Sequence, residues 1–237
     1  SILPMTTFDP VAMLSAVSRH QIDELICVPA MTTRLLEEAR AGQYDLDHLT
    51  TMFSSGAAHH PDIWQEIYDV LTVDEIFTAY GQTETTASTA CTRPGDPIER
   101  LKTTNGAIKL AGIAGDPAAG GGVAAYRVIA TGTGEDLPPG EIGELLAKGV
   151  SVTRGYYNKP EETSALFTAD GWMHTGDLGR ISEDGYITLT GRIKESYRCG
   201  GELVLPAETE GILSRHPGVK SAHVIGVPHD RMGEVGV

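Results

Sequence analysis

The feature that most constrains this chain is the regular alternation, from Phe8 to Ala79, of short apolar runs with amphipathic helical segments. Phe8-Asp9-Pro10 opens a helix well, because Asp9 is a good N-cap and Pro10 at the first helical position gives up no needed hydrogen bond. Met13, Leu14 and Val17 then recur at helical spacing. Leu25-Ile26-Cys27-Val28 is apolar, β-favouring and short, which predicts a buried strand ending at Pro29. Thr32 to Arg40 predicts a helix stopped near Gly42, and Leu49 to Phe53 a second strand. Pro61 to Leu71 predicts a third helix with Ile63, Ile67 and Val70 on one face, and Glu75 to Ala79 a third strand. Strand and helix in this order imply a parallel sheet covered by helices.

The character changes after about Arg100. Glycine and proline become frequent, clear helical patterns vanish, and β-like runs appear at Tyr126–Ala130 and Ile142–Leu146. Tyr186 to Thr190 follows Asp184-Gly185, a hairpin signal. Beyond Arg192 come a strand-like Leu203-Val204-Leu205, a helix opened by Pro206, and a strand over Ala222–Val227. The fold class expected is α/β. Residues 1–100 form part of a parallel sheet with flanking helices, incomplete at its start. Residues 101–191 form a distorted β-barrel subdomain, and 192–237 the beginning of a small, incomplete α/β C-terminal domain.

Composition excludes several function classes. The formal net charge is -14, which opposes a nucleic-acid backbone, since phosphate contacts need clustered cations. No apolar run approaches the roughly 20 residues of a membrane-spanning helix. Cys27, Cys91 and Cys199 are odd in number and lack metal-type spacing, which fits reduced thiols in a cytoplasmic enzyme. His59-His60, adjacent in a loop, lack the spacing that aims two rings at one metal. Gly120–Gly122 is no phosphate loop, because no Lys-Ser or Lys-Thr follows. Asp230 and Glu234 read as solvated loop residues.

Three motifs carry the chemistry when taken together. Tyr80-Gly81-Gln82-Thr83-Glu84 sits at the C-terminal end of a predicted strand, where open α/β sheets bind ligands. Tyr80 offers a face for adenine, Thr83 a hydroxyl for an α-phosphate, and Glu84 a hard oxygen ligand for Mg²⁺. Thr175-Gly176-Asp177 supplies a carboxylate, the group able to accept both hydroxyls of a ribose diol. Gly191-Arg192-Ile193-Lys194-Glu195 adds a basic closing segment ahead of Gly200-Gly201. Any one alone is a weak signal, with an ordinary polar turn or hairpin as its alternative. Their order describes a nucleotide pocket.

These motifs, with Gly143-Glu144-Leu145-Leu146 and Gly155 to Thr163, resemble the adenylate-forming superfamily of acyl-CoA synthetases, luciferases and peptide-synthetase adenylation domains. The resemblance runs from about Phe8 to the last residue. It implies that Gly56, Ala57 and Ala58 lie along the adenine and one wall of the acyl pocket. It gives Tyr80 and Gly81 to the nucleotide, Thr83 and Glu84 to phosphate and Mg²⁺, and Asp177 to the ribose. Arg192 falls near the ribose and phosphates, Lys194 at the hinge of the mobile C-terminal domain, and Gly200 and Gly201 on the pantetheine tunnel. His174 receives no catalytic role, and Tyr156, Tyr157 and Asn158 read as scaffold.

What the resemblance implies is ATP-dependent activation of a small-molecule carboxylic acid as an acyl-adenylate, then transfer to coenzyme A. A fatty, aromatic or alicyclic acid suits the small apolar stretches at Val28–Arg34 and Gly56–Ala58. One alternative is an adenylating enzyme that loads a carrier protein, and Lys194-Glu195 with Gly200-Gly201 favours coenzyme A over it. Ser196-Tyr197-Arg198-Cys199 departs from the commonest pattern, which has a branched aliphatic near Tyr197. The family's phosphate loop would lie upstream of Ser1 and its adenylation lysine beyond Val237, so the chain is expected to be an inactive interior piece. The other alternative is therefore a non-catalytic nucleotide-binding remnant.

Overall fold

The computed structural model describes residues 2–56, 62–110, 115, 117, 120–216, 218–219 and 221–237. The chain forms two compact units, Ser1–Lys109 and Leu110–Val237.

In the first unit, helix α1 (Pro10–His20) begins as its sequence dictates: the Asp9 side chain accepts from the Ala12 N–H at 2.9 Å, with Pro10 at the first position. Strands β1 (Glu24–Cys27), β2 (Thr51–Ser54) and β3 (Glu75–Phe77) pair in parallel, in that order. Helices α2 (Pro29–Ala41) and α3 (Ile63–Leu71) make the crossovers. Leu25, Met52 and Ile76 stand in register across the three strands. All three are buried in one core with Leu14, Val17, Leu35, Leu36, Trp64, Ile67 and Leu71 from the helices. Burying one such aliphatic side chain is worth about 1.5–3 kcal/mol, so this row and its helical cover hold the unit together.

Two expectations shift here. β1 is half-buried rather than fully buried, since Leu25 and Cys27 face the core while Ile26 is 68% exposed. Pro29 both ends the strand segment and opens α2, three residues before the start expected at Thr32, because its fixed φ suits the first helical position. Gly42, after α2, is extended (φ -96); a Cβ there would run into the Tyr44 ring, which would have to shift for any larger residue.

The strand expected to end at Ala79 is followed by a second one. β4 (Ala79–Gln82) turns away from the parallel sheet and pairs antiparallel with β5 (Ala87–Cys91), which pairs in turn, beyond the short helix α4 (Ile98–Thr103), with β6 (Ala107–Ile108). Gly106 has φ +94, and a Cβ there would collide with the Cys91 carbonyl carbon. The close approach of β6 to β5 therefore requires it.

In the second unit, β7 (Ala125–Ile129), β8 (Gly143–Lys148), β9 (Met173–Ile181) and β10 (Ile187–Arg192) form an antiparallel sheet of order β10-β9-β8-β7. Among the described residues this sheet is open, where a distorted barrel was expected. The Asp184-Gly185 hairpin forms as predicted, with Gly185 at φ +83 and Ile187 opposite Ile181. Helix α5 (Pro160–Leu166) follows the Gly155–Lys159 turn, where the Tyr156 N–H donates to Thr163 Oγ1 at 2.9 Å.

The last segment forms a second antiparallel sheet. It contains β11 (Tyr197–Cys199), β12 (Glu202–Val204), β13 (Gly226–His229) and β14 (Gly233–Gly236), in the order β12-β11-β14-β13, with helix α6 (Pro206–Leu213) after β12. The strand expected over Ala222–Val227 starts only at Gly226. Residues upstream of it are held otherwise: the Val224 N–H donates to Glu210 Oε1 at 2.8 Å. Glu234 accepts from the Arg198 N–H at 3.1 Å and ties β14 to β11, so it is not merely solvated.

Candidate functional site

In the first unit the site residues gather where β4 ends. Tyr80 lies within β4, opposite Ala90 of β5, and is buried. A strand of its own therefore holds it, one that begins where the expected strand Glu75 to Ala79 was to end. Thr83, Glu84 and Thr85 form one 3-10 turn. Its lock is Thr85: the buried Oγ1 donates to the Gln82 carbonyl at 3.0 Å and accepts from the Gln82 N–H at 3.1 Å. That self-contained lock leaves Thr83 and Gly81 exposed and Glu84 half-buried. Thr85 is a residue that motif reading passed over; its signal was a second hydroxyl three residues after Gln82, the capping-box spacing.

Gly56 has φ +99 and a Cβ there would lie 3.6 Å from Val28 Cγ1, so backbone conformation rather than crowding selects glycine. The end of β2 leading to it is pinned by a fully buried hydroxyl pair, Thr32 Oγ1 and Ser54 Oγ at 2.7 Å. Ala57 and Ala58, with His59 and His60, lie outside the described residues.

In the second unit, Thr175, Gly176 and Asp177 lie inside β9, where the ladder breaks step. Glu144 of β8 faces Leu178 and Leu146 faces His174, so the three residues 175–177 stand opposite Leu145 alone. This is a β-bulge, and bulges re-aim side chains. Thr175 Oγ1 donates to the Leu145 carbonyl at 2.6 Å and accepts from the Asp177 N–H at 3.1 Å. Gly176, at φ +69, absorbs the turn. The result places Asp177 across the ladder from Arg192. Arg192 Nε donates to Asp177 Oδ1 at 3.0 Å; the carboxylate is 5% exposed and the guanidinium side chain 50%. A buried carboxylate needs such a partner.

Lys194 sits in a 3-10 turn, Ile193–Glu195, and is exposed. Gly200 and Gly201 join β11 to β12 as a two-residue hairpin, with Cys199 opposite Glu202. Their φ values of +62 and +92 are those a primed turn demands, a local reason for both glycines that the sequence reading had given to a tunnel. The Gly200 N–H donates to the Met232 carbonyl at 2.8 Å.

Among the described residues, no three His, Cys, Asp or Glu side chains gather to hold a metal ion. Glu84, a single carboxylate, fits Mg²⁺ of the kind that takes most of its ligands from phosphate and water. All three cysteines are free, and no helix among the described residues is long and apolar enough to cross a membrane.

The AMP-binding enzyme family matches residues 2–157, and this chain belongs to that family. Over 236 residues it is 35% identical to the octahydroindenyl-propanoyl:CoA ligase of Rhodococcus jostii (strain RHA1), with 100% of this chain and 41% of that protein covered. It is also 35% identical over 236 residues to a feruloyl-CoA synthase of Amycolatopsis sp, covering 45% of it. Its fold matches ATP-bound MatB from Rhodopseudomonas palustris with a TM-score of 0.82 and 33% identity, over 98% of this chain and 42% of that one. The chain thus spans less than half the length of these relatives. The α/β class and the resemblance to adenylate-forming enzymes expected from the motifs are both found.

Proposed function

We propose that this chain is part of a cytoplasmic, ATP-dependent acyl-CoA synthetase. The enzyme joins a carboxylic acid to the α-phosphate of ATP, releasing pyrophosphate, and then passes the acyl group to the thiol of coenzyme A. The acyl-adenylate is a mixed anhydride, so one difficult acyl transfer becomes two easier ones.

The observation that carries this reading is the Arg192–Asp177 pair, a buried carboxylate held on a bulge beside a cation with one face in solvent. In this reading Asp177 accepts the ribose hydroxyls, Arg192 lies near ribose and phosphate, and Tyr80 and Gly81 border the base. Gly56, Ala57 and Ala58 line the adenine and the acyl group. Thr83 donates to the α-phosphate, and Glu84 ligates Mg²⁺, whose charge offsets that of the phosphates. Residues 1–100 and 101–191 carry these groups except Arg192, which opens the last segment. Residues 192–237 begin a domain that reorients about Lys194, bringing Gly200 and Gly201 to the pantetheine arm. The relatives' names include aromatic and alicyclic acids. An acid of that kind, or a fatty one, suits a wall containing Val28 and Gly56.

Acid-dependent exchange of labelled pyrophosphate into ATP, measured on the enzyme at the full length of its relatives, tests the first half-reaction. Exchange that requires an acid and collapses in Asp177→Ala is expected. Exchange unaffected by that substitution would remove the nucleotide role of Asp177.

A further inference from the structure

Glu144 is a buried carboxylate in β8, followed directly by three apolar residues. Its neighbours in β8, Leu145, Leu146 and Ala147, are 0% exposed, and Glu144 itself is only 7% exposed. Burying a charged group there is costly unless it is fully paired, and packing alone would be met by another leucine. Its two oxygens are both engaged on the bulge of β9. Oε1 accepts from the Gly176 N–H at 3.3 Å, and Oε2 lies 3.0 Å from His174 Nδ1.

Three residues of β9 oppose one of β8, so the regular pairing with β8 is interrupted there. Side chains reach the backbone at the interruption: Thr175 Oγ1 accepts from the Asp177 N–H, and the Glu144 carboxylate from the Gly176 N–H. Gly176 is the residue at positive φ, free to swing if its N–H is released. We propose that Glu144 is a positioning residue for nucleotide binding: it clamps Gly176 and His174 so that the next residue, Asp177, is presented at a fixed place beside Arg192. The inference rests on the reading that Asp177 holds the ribose. A displacement of about 1 Å at such a group can cost up to about a hundredfold.

The test compares Glu144→Leu, Glu144→Gln, Thr175→Val and Asp177→Ala in the enzyme at the full length of its relatives, with thermal midpoints recorded alongside. Glu144→Leu fills the same space without an acceptor and is expected to raise KM for ATP about tenfold or more, with KM for coenzyme A within about twofold of wild type. Glu144→Gln still accepts from Gly176 and should stay within about threefold. Thr175→Val cuts the other tie and should move KM for ATP in the same direction, which keeps the test open if Glu144→Leu does not fold. Unchanged KM for ATP in Glu144→Leu or Thr175→Val, beside a damaged Asp177→Ala, overturns the clamp alone. So does a glutamine variant as damaged as the leucine one. Unchanged ATP kinetics in Asp177→Ala would instead overturn the ribose reading and the clamp with it.

Discussion

Arg192 and Asp177 stand opposite each other across the β9–β10 ladder, and the arginine Nε donates to Asp177 Oδ1 at 3.0 Å. One member is buried and the other half exposed, so removing the arginine takes an ion-pair partner from a carboxylate with little access to solvent. Arg192→Ala is expected to cost about 1–3 kcal/mol of stability and to weaken ATP binding. Arg192→Lys keeps the charge but not the planar fork and should fall between. Denaturant unfolding and ATP titration check both. Equal stability of alanine variant and wild type would show that the pair does not hold Asp177.

The hairpin glycines separate a structural role from a functional one. A Cβ at Gly201 meets nothing within 4 Å, so Gly201→Ala pays only in backbone strain, about 1–2 kcal/mol. If the turn also lines a pantetheine path, this variant slows thioester formation and leaves adenylation near wild type. Single-turnover assays of each half-reaction read the difference. Two unchanged half-reactions would leave the glycines to the primed turn alone.

Burial pushes the Cys27 thiol up from 9.0 to about 12. The unfolded chain ionises this thiol from about pH 9, while the folded chain keeps its proton until about pH 12. Its contribution to stability is therefore complete below pH 9 and is lost as pH rises towards 12. The full loss is at most about 4 kcal/mol. Cys27→Ala should flatten the fall in unfolding free energy between about pH 8 and pH 10.5. A fall as steep as that of wild type would contradict this burial. Iodoacetamide should also spare native Cys27 near neutral pH, because the thiolate is the nucleophile.

Lys194 lies exposed in a short 3-10 turn between the two antiparallel sheets of the second unit. If it is the hinge, Lys194→Pro limits the backbone change and slows thioester formation by tenfold or more, with adenylation spared, an order typical of hinge changes. Stopped-flow detection of each product is the check. Equal rates in both steps would move the hinge elsewhere.

The first unit was legible because its signals are local. Apolar period, the Asp9-Pro10 start and the Leu25, Met52 and Ile76 positions suffice to place helices and parallel strands. β4 and β5 were not, since Tyr80-Gly81-Gln82 and the Thr- and Ala-rich stretch after it lack the apolar alternation by which half-buried strands are read. The motif residues could be named from sequence, but not what holds them. The role of Glu144 depends on a ladder that slips around Leu145, a pairing between residues about 30 positions apart that no local pattern encodes. The same limit applies to Gly200-Gly201, whose turn became visible only once Cys199 was found opposite Glu202.

The most direct test of the account is mass spectrometry of the products formed by the enzyme at the full length of its relatives. It would be given ATP, Mg²⁺, coenzyme A and a panel of fatty, aromatic and alicyclic acids. The account predicts an acyl-CoA product that appears together with AMP and disappears in Asp177→Ala. Acyl-adenylate that accumulates and ignores coenzyme A would contradict it and move the acceptor to a carrier protein.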